Sequence, residues 1–232
     1  MEKMDTRYSA IVLAAGSGSR MHSKVPKQYM ELLGHPIIYY TLKAFEESNV
    51  DEVVLVVREG DEEYVQNEIV NKYGFEKVSS IVIGGNTRTE SVFNGISEAK
   101  GEFVLIHDGA RCFVSVDLIN KMAVEVENGS CIAAVPSKDT IKTSDEDGFV
   151  ASTPDRSAVW VVQTPQAFNR KSLISAYNKI ELLTDSEKNG LTDDSMIMEF
   201  AGEKVRLIPA EYSNIKVTTP IDLEFGKNLI KK

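Results

Sequence analysis

Short apolar runs alternate with segments of helical spacing along most of this chain. The run at 53–57 is continuously apolar, which is typical of a strand buried on both faces of a parallel sheet. Segment 37–47 follows a proline and spaces its apolar residues three or four positions apart, which indicates a helix. The same patterns predict strands at 9–14, 79–83, 103–107, 131–136, 160–163, 205–209 and 215–218, and helices at 62–73, 89–99, 118–128, 170–183, 195–201 and from Pro220 onward.

This regular alternation predicts an α/β fold, a Rossmann-like doubly wound sheet that is mixed but mostly parallel. Ligands of such sheets bind outside the carboxyl ends of the strands. Gly16, the pair Gly84-Gly85 and Asp108 each lie just past the end of a predicted strand. We therefore expect these residues to converge on one cleft.

The alternation stops between about Ser137 and Val159. Two short runs, 140–143 and 149–152, flank a turn-like segment and predict a projecting β-hairpin arm. Because an isolated hairpin is only marginally stable in water, we expect this arm to pack on another surface, with a second subunit as the leading candidate. The chain is long enough for one substantial core, so we expect a single domain over residues 1–232 with the arm at about 137–159.

Charge and cysteine content disfavour several kinds of site. The formal net charge is −9 and basic residues form no block, so non-specific nucleic-acid binding is not expected. Cys112 and Cys131 form neither a metal-ligand spacing nor a disulfide framework, and the 3 histidines are scattered. The sequence shows no apolar leader and no run of membrane-spanning length, so we expect a cytoplasmic protein without membrane contact.

The strongest candidate for chemistry is the loop that follows the first strand. The apolar run at 9–14 leads into Ala15-Gly16-Ser17-Gly18-Ser19-Arg20-Met21, and Pro26-Lys27 follows. Glycines let backbone N–H groups approach a phosphate closely, and Arg20 and Lys27 can neutralise phosphate oxygens. The segment therefore predicts a nucleoside triphosphate site.

Other phosphate-binding motifs fit this loop poorly. A dinucleotide fingerprint needs glycine where Met21 stands and an acidic residue about twenty positions after the loop, at the end of a second strand; the sequence has neither. No Walker A pattern occurs. A purely structural turn between strand and helix is the remaining alternative for the glycines alone, and the spacing of Arg20 and Lys27 counts against it.

The run L-A-A-G-S-G-S-R-M with the downstream P-K resembles the signature of sugar-nucleotide pyrophosphorylases and related nucleotidyltransferases. Five further segments follow in order, and the set resembles the 2-C-methyl-D-erythritol 4-phosphate cytidylyltransferases from about residue 8 to 226. These segments are G-G-N-T-R-T-E-S-V at 84–92, H-D-G-A-R at 107–111, D-R at 155–156 with Q-T-P-Q at 163–166, T-D-D at 192–194, and N-I-K-V-T-T-P at 214–220.

The resemblance implies transfer of the cytidylyl group of CTP to methylerythritol 4-phosphate with release of pyrophosphate, a step of non-mevalonate isoprenoid precursor synthesis. The attacking group is a substrate phosphate oxygen that is already anionic, so no general base is needed. Two polyanions must be brought together, and cations and Mg²⁺ must offset their repulsion. The resemblance implies that Mg²⁺ is held mainly through the CTP phosphates, and we assign it no protein ligand.

The same resemblance implies the catalytic and nucleotide-binding residues. Arg20, Lys27 and Lys216 surround the CTP phosphates, and Arg156 orients the attacking phosphate from the arm of the partner in a homodimer. Lys216 also lies in an apolar run, where a lysine must either snorkel or face an anion. The nucleotide contacts are expected at Ala14, Ala15, Gly16, Ser17, Gly18, Gly85, Asn86, Arg88, Ser91 and Gly109.

For the alditol phosphate, the resemblance implies contacts from Asp108, Arg111, Thr164, Thr192 and Asp193. A helix N-cap explains Thr192 and Asp193 equally well, and an exposed position in a turn explains Arg88 equally well. Ser91 is expected to start or cap a helix, and His107 is assigned to structure. Cys112 stands where the family commonly has proline, so we expect a less rigid loop after Arg111.

Three other functions remain open at this level. A ribitol 5-phosphate cytidylyltransferase would share the fold, the loop and the chemistry, although Arg156 and the T-D-D run favour methylerythritol by resemblance. A non-catalytic nucleotide-binding regulatory protein would keep the glycine loop after the first strand. It would not require all four of the cations Arg20, Lys27, Arg156 and Lys216. A dehydrogenase is disfavoured by Met21.

Overall fold

The computed structural model describes residues 7–16, 18, 21, 25–180 and 182–230. The strands are β1 (Tyr8–Ala14), β2 (Glu31–Leu32), β3 (His35–Pro36), β4 (Glu52–Val57), β5 (Val78–Ile83), β6 (Phe103–Asp108), β7 (Cys131–Pro136), β8 (Thr143–Ser144), β9 (Val150–Ser152), β10 (Trp160–Asn169) and β11 (Arg206–Pro209). The helices are α1 (Ile37–Glu46), α2 (Glu62–Tyr64, continued by a π-helix at Val65–Asn71), α3 (Arg88–Glu98), α4 (Val116–Glu125), α5 (Arg170–Ile180), α6 (Asp185–Gly190), α7 (Asp194–Phe200) and α8 (Pro220–Ile230). Within the described ranges, no helix is long and apolar enough to cross a membrane.

A central sheet holds seven of these strands in the order β11-β7-β10-β6-β1-β4-β5. Neighbouring strands run parallel except at β10, which is antiparallel to both β6 and β7. This arrangement confirms the predicted mixed, mostly parallel α/β sheet. The strand order reverses at β1, which lies between β4 and β6, and ligands bind at such a switch point.

Helices pack on both faces of the sheet because successive side chains of a strand point to opposite sides. Ala10 and Val12 of β1 lie in one buried cluster with side chains of α1 and α4. Ile11 lies in a second cluster with side chains of α3, α5 and α7. Burial on both faces explains why the central strands are continuously apolar, and it holds their carboxyl ends in fixed positions.

One prediction about the sheet is wrong, and another is confirmed but too short. Segment 215–218 is irregular chain and not a strand. Its apolar Val217 packs instead in a small separate cluster with Leu32, Ile37 and Cys112. The run at 160–163 is only the first part of the longer strand β10, whose antiparallel direction the apolar pattern does not reveal. The hairpin of β2 and β3 and the short helix α6 were not predicted.

The predicted arm is confirmed as a separate hairpin of β8 and β9. Its turn is closed by Asp145, whose carboxylate accepts the Phe149 N–H at 2.8 Å, and by Gly148 at a φ of +85°. Apolar side chains of the arm face solvent, with Phe149 71% and Val150 62% exposed. An arm with this surface supports packing against another molecule.

Candidate active site

A cleft of about 450 Å³ opens at the carboxyl ends of the central strands. Its walls come from the end of β1 and its loop, the 3₁₀ turn Lys27–Tyr29, the loop between β5 and α3, and the segment after β6. Gly16, Gly85 and Asp108 therefore meet in one place, as predicted from their positions after strand ends. Lys216 completes the lining from the irregular segment before α8.

The turn that carries Lys27 is fixed to the end of β1. Buried Gln28 donates from Nε2 to the carbonyl of Ala14 at 2.7 Å. Gly18 has a φ of +65°, and a Cβ there would lie 3.0 Å from both Cβ and Cγ of Lys27. Glycine is thus required for the loop to pass against this lysine. Gln28 was not predicted from the sequence, since nothing local distinguishes it from a surface glutamine.

The loop between β5 and α3 is held in shape by its own side chains. Thr87 caps α3 by accepting the Glu90 N–H at 3.1 Å, and Glu90 in turn accepts the Asn86 N–H at 2.7 Å. The prediction that Ser91 starts or caps this helix is therefore wrong. Ser91 lies one turn further, donates to the Thr87 carbonyl at 2.8 Å and accepts the Gly85 N–H at 3.1 Å. These bonds fix the backbone that lines the cleft.

Asp108 lies at the centre of an ionic cluster. Its Oδ2 is 2.8 Å from Lys216 Nζ and 3.5 Å from Arg111 Nε, and its Oδ1 is 3.9 Å from Arg88 Nε. Burial alone would raise the pKa of Asp108, but Lys216, Arg88 and Arg111 outweigh it and hold the pKa well below its usual range. One carboxylate thus faces three cations, which leaves the cleft with a local excess of positive charge.

Lys216 therefore faces an anion, one of the two possibilities predicted for a lysine in that apolar run. Its segment is tied to the loop after β6, because the Val217 N–H donates to the Ala110 carbonyl at 2.8 Å. Arg111 adds a second tie by donating from NH1 to the Asn214 carbonyl at 3.1 Å. A distant part of the chain is thereby held over the end of β6.

Arg88 is held by a carboxylate outside the cleft lining. Its NH2 donates to Asp194 Oδ2 at 2.7 Å, and Asp194 Oδ1 accepts the Tyr177 hydroxyl at 2.6 Å. Burial would lower the pKa of Arg88, but Asp194 and Asp108 raise it above its usual value. The alternative of an exposed turn residue is thus wrong for Arg88, whose side chain is 32% exposed and ion-paired.

His107 supports the cluster from the buried side of β6. Its Nε2 is 3.2 Å from the Arg111 carbonyl, and its Nδ1 is 3.0 Å from Thr164 Oγ1. A carbonyl only accepts, so Nε2 carries the proton and Nδ1 accepts from the Thr164 hydroxyl. That hydroxyl also accepts the Asp108 N–H at 3.1 Å. Burial lowers the pKa of His107 to about 4, so the ring is neutral, which fits its assignment to structure.

This depressed pKa predicts a pH-dependent loss of stability. The unfolded state binds the His107 proton first as the pH falls, so the stabilisation is complete above pH 6.5 and is lost as the pH falls through 4. Between pH 7.5 and 4.5 we expect wild type to lose about 2–3 kcal/mol more unfolding free energy than His107→Gln. Urea unfolding at several pH values measures this difference. If the unfolding free energies of the two proteins fell equally with pH, the prediction would be wrong.

The T-D-D run forms the start of α7. Asp193 caps the helix by accepting the Met196 N–H at 3.0 Å, and its other oxygen accepts Gln166 Nε2 at 2.9 Å. The N-cap alternative is therefore what the structure shows for Asp193. Thr192 is exposed, and its hydroxyl lies 3.3 Å from Met196 Sδ.

Most of the predicted nucleotide and phosphate residues come together. The cleft is lined by Ala14, Ala15, Gly16, Lys27, Gly85, Asn86, Arg88, Ser91, Asp108 and Lys216, and Gly18, Gly109 and Arg111 each adjoin a residue that lines it. Thr164, Thr192 and Asp193 do not line it, and Arg156 is exposed on the arm. Ser17 and Arg20 lie outside the described residues. Asp194, Tyr177 and Asn214 were not predicted, although Asp194 and Asn214 fall within quoted motifs.

Cys112 lies behind this cluster and is buried with Val217. Burial raises the pKa of its thiol to about 12, so the side chain is a neutral packing group at physiological pH. Its position supports the segment that carries Lys216.

Comparison with known proteins gives the family. The sequence model described as 2-C-methyl-D-erythritol 4-phosphate cytidylyltransferase (IspD) matches residues 8–232. A relative of that name from Lachnoclostridium phytofermentans is 46% identical over 229 residues, which cover 97% of each chain. Another from Alkaliphilus metalliredigens is 45% identical and covers 98% of this chain and 94% of its own.

Solved structures agree with the sequence relatives. The crystal structure of 4-diphosphocytidyl-2C-methyl-D-erythritol synthase from Anaerococcus prevotii has a TM-score of 0.84 at 36% identity, covering 98% of this chain and 97% of that one. The 2-C-methyl-D-erythritol 4-phosphate cytidylyltransferase from Thermus thermophilus has a TM-score of 0.77 at 26% identity, covering 97% and 100%. This chain therefore belongs to the 2-C-methyl-D-erythritol 4-phosphate cytidylyltransferase family.

Proposed function

We propose that this chain, as one nucleotidyltransferase domain, transfers the cytidylyl group of CTP to 2-C-methyl-D-erythritol 4-phosphate. The products are 4-diphosphocytidyl-2-C-methyl-D-erythritol and pyrophosphate. The observation that carries the proposal is the cleft itself, where a glycine loop, Lys27 and Lys216 meet the buried ionic cluster around Asp108. Such a site positions two phosphate groups and offsets their mutual repulsion.

The chemistry asks for no general base from the protein. A phosphate oxygen of the alditol phosphate attacks the α-phosphorus of CTP, a new P–O bond forms, and the bond to pyrophosphate breaks with its electrons. Lys27, together with Arg20, would stabilise the charge that develops at the α-phosphorus. Lys216 would hold the same phosphates from the opposite segment, with Asp108 fixing its position.

The nucleotide would lie along the two glycine loops. The loop after β1 would take the phosphates through Ala14 to Gly18, and the loop before α3 would take the nucleoside through Gly85, Asn86 and Ser91, with Gly109 nearby. Both loops present backbone groups at the carboxyl ends of strands, where such ligands bind. The hydrogen bonds of Ser91 and Glu90 support this role by ordering the second loop before the ligand arrives.

The alditol phosphate would lie beside Asp108 and Arg111. Arg111 carries a guanidinium next to the cleft, and a guanidinium suits a phosphate because it can donate two parallel hydrogen bonds. Thr164 sits against the backbone of Asp108, and Thr192 and Asp193 lie at the start of α7. We assign these three residues to the same pocket.

Mg²⁺ would be held mainly by the CTP phosphates, and it would supply positive charge that offsets their repulsion. The carboxylate of Asp108 is already paired with Lys216 and near Arg88 and Arg111, so this donor is engaged with protein cations. Among the described residues, no group of three or more His, Cys, Asp or Glu side chains could hold a metal. Proteins commonly hold Mg²⁺ largely through substrate phosphates and not in a dedicated cage of their own ligands.

We further propose a cytoplasmic homodimer joined through the arm. Exposed apolar side chains on the arm and beside it support an interface, with Phe149 71%, Val150 62% and Val161 52% exposed. Arg156 lies at the base of the arm and outside the cleft of its own chain, so it would orient the attacking phosphate in the partner's cleft. Two free buried cysteines fit a reducing compartment.

A pyrophosphate-release assay tests the substrate assignment. We expect turnover with CTP and 2-C-methyl-D-erythritol 4-phosphate, because the family implies both substrates and the cleft offers cations for their phosphates. Ribitol 5-phosphate at the same concentration serves as the alternative acceptor, and ATP as the alternative donor. Turnover with ribitol 5-phosphate but not with methylerythritol phosphate would overturn the acceptor assignment, and CTP binding without turnover of any acceptor would favour the regulatory alternative.

A further inference from the structure

Asp194 is a fully buried carboxylate that the reaction itself does not use. It is 0% exposed, it lies on α7 outside the cleft lining, and both of its oxygens are engaged. One oxygen accepts the Tyr177 hydroxyl at 2.6 Å and the other accepts Arg88 NH2 at 2.7 Å. Burying a charge costs free energy even when it is paired, so stability alone does not explain a carboxylate at this position.

The first turn of α7 holds Asp194 in a fixed position relative to the sheet. Gln166, which is 1% exposed on β10, donates to Asp193 at 2.9 Å and accepts the Ser195 N–H at 3.1 Å. Gln166 is also paired with Ile106 of β6, two residues before Asp108. The first turn of α7, which carries Asp194, is therefore tied through Gln166 to the strand that carries Asp108.

Arg88 connects this fixed carboxylate to the cleft. Its NH2 is bound to Asp194, while its Nε faces Oδ1 of Asp108 at 3.9 Å. Lys216 and Arg111 occupy the other oxygen of Asp108. Because a guanidinium is planar, fixing one end of it fixes the direction in which the other end points. The position of Asp194 thus sets the direction in which Arg88 faces Asp108.

We infer that Asp194 is a positioning residue for nucleotidyl transfer. It acts through Arg88 on Asp108 and on Lys216, which Asp108 holds. Asp194 keeps Arg88 directed at Asp108 and away from the phosphates of the nucleotide. Without the negative charge of Asp194, the guanidinium is released toward the bound polyanion. Ground-state binding of CTP then becomes tighter, while Asp108 and Lys216 lose the geometry that the transition state needs.

This inference rests on the proposed function, and Asp194→Asn tests it because the amide keeps the size of the side chain. We expect kcat per folded molecule to fall about 30-fold, while the KM for CTP stays constant or falls. A merely structural role would lower the melting temperature and the active fraction and leave both constants of the folded molecules unchanged. Asp117→Asn, the same change at an exposed first-turn position of α4, is the matched control and should retain wild-type kinetics.

Three further variants keep the test decisive. Arg88→Gln and Arg88→Gln/Asp194→Asn complete a double-mutant cycle: because Asp194 acts through Arg88, the two losses should not multiply, and kcat of the double variant should stay near that of the more impaired single variant. Tyr177→Phe removes one hydrogen bond of Asp194 and should lower kcat a few-fold. This milder variant provides the test if Asp194→Asn does not fold. Effects that simply multiply in the double variant, or wild-type kcat in Asp194→Asn, would overturn the inference.

Calorimetric titration with CTP separates this inference from the proposed function. Asp194→Asn should bind CTP about two- to tenfold more tightly than wild type, because one negative charge near the anion site is gone. Weaker binding by the folded variant would overturn the positioning role whatever the acceptor turns out to be. Absence of wild-type turnover with methylerythritol phosphate would instead overturn the proposed function.

Discussion

Replacing Lys27 with alanine is expected to lower kcat about 10³-fold while the melting temperature stays nearly unchanged. The side chain lines the cleft beside the glycine loop. Under the proposed function, the charge at the α-phosphorus would develop there. Removing one preorganised cation from such a position removes transition-state stabilisation that water cannot replace. The effect should therefore fall on kcat and on kcat/KM together, with a smaller change in the KM for CTP.

The fold should survive this substitution because the turn around Lys27 is held by other groups. Gln28 bonds to the Ala14 carbonyl at 2.7 Å, and the Lys27 atoms nearest to where a Cβ of Gly18 would lie are Cβ, Cγ and the backbone N. Alanine keeps the Cβ and the backbone of the 3₁₀ turn. Thermal unfolding with and without CTP separates a folded, inactive protein from a misfolded one.

Lys43→Ala is the matched control for Lys27→Ala. Lys43 is a lysine on α1 whose side chain is 53% exposed and pairs with Glu47 at 3.8 Å, a surface pair of little energetic value. Its replacement should leave kcat within about twofold of wild type. If Lys27→Ala retained more than about a tenth of the wild-type kcat, the transition-state role assigned to Lys27 would be wrong.

Much of the fold could be predicted from the sequence because buried parallel strands leave a local signature. The continuous apolar runs of β1, β4 and β6 identify central strands, and the residues just after them converge by topology alone. The direction of β10 and the irregular course of 215–218 depend on distant partners, so the local pattern did not reveal them.

In the site, too, residues with a local sequence signal could be predicted, and residues defined by distant partners could not. Lys27 stands next to a recognisable loop, and Lys216 is conspicuous in an apolar run, so both could be predicted. Asp194 is separated from Arg88 by 106 positions, and Thr164 from His107 by 57. A short polar side chain gives no local sign of a partner that far along the chain, and these buried contacts become visible only once the strands are assembled.

A heterodimer that combines Lys27→Ala on one subunit with Arg156→Ala on the other is expected to regain activity that both homodimers lack. If Arg156 acts on the partner's cleft, one cleft of this heterodimer receives both substitutions and the other receives neither. Purified through two different affinity tags, the heterodimer should then show about half of the wild-type activity per dimer, because one of its two sites is intact.

The opposite outcome has an equally definite meaning. If Arg156 served the cleft of its own chain, each cleft of the heterodimer would carry one substitution, and both would remain as inactive as the homodimers. A heterodimer of two differently tagged Lys27→Ala subunits is the control and should stay inactive in either case. Failure to recover any doubly tagged species would instead contradict dimerisation, which the exposed Phe149 and Val150 of the arm support. Regained activity would show that Arg156 acts in the partner's cleft. The apolar surface of the arm would then be needed to bring this cation into the active site.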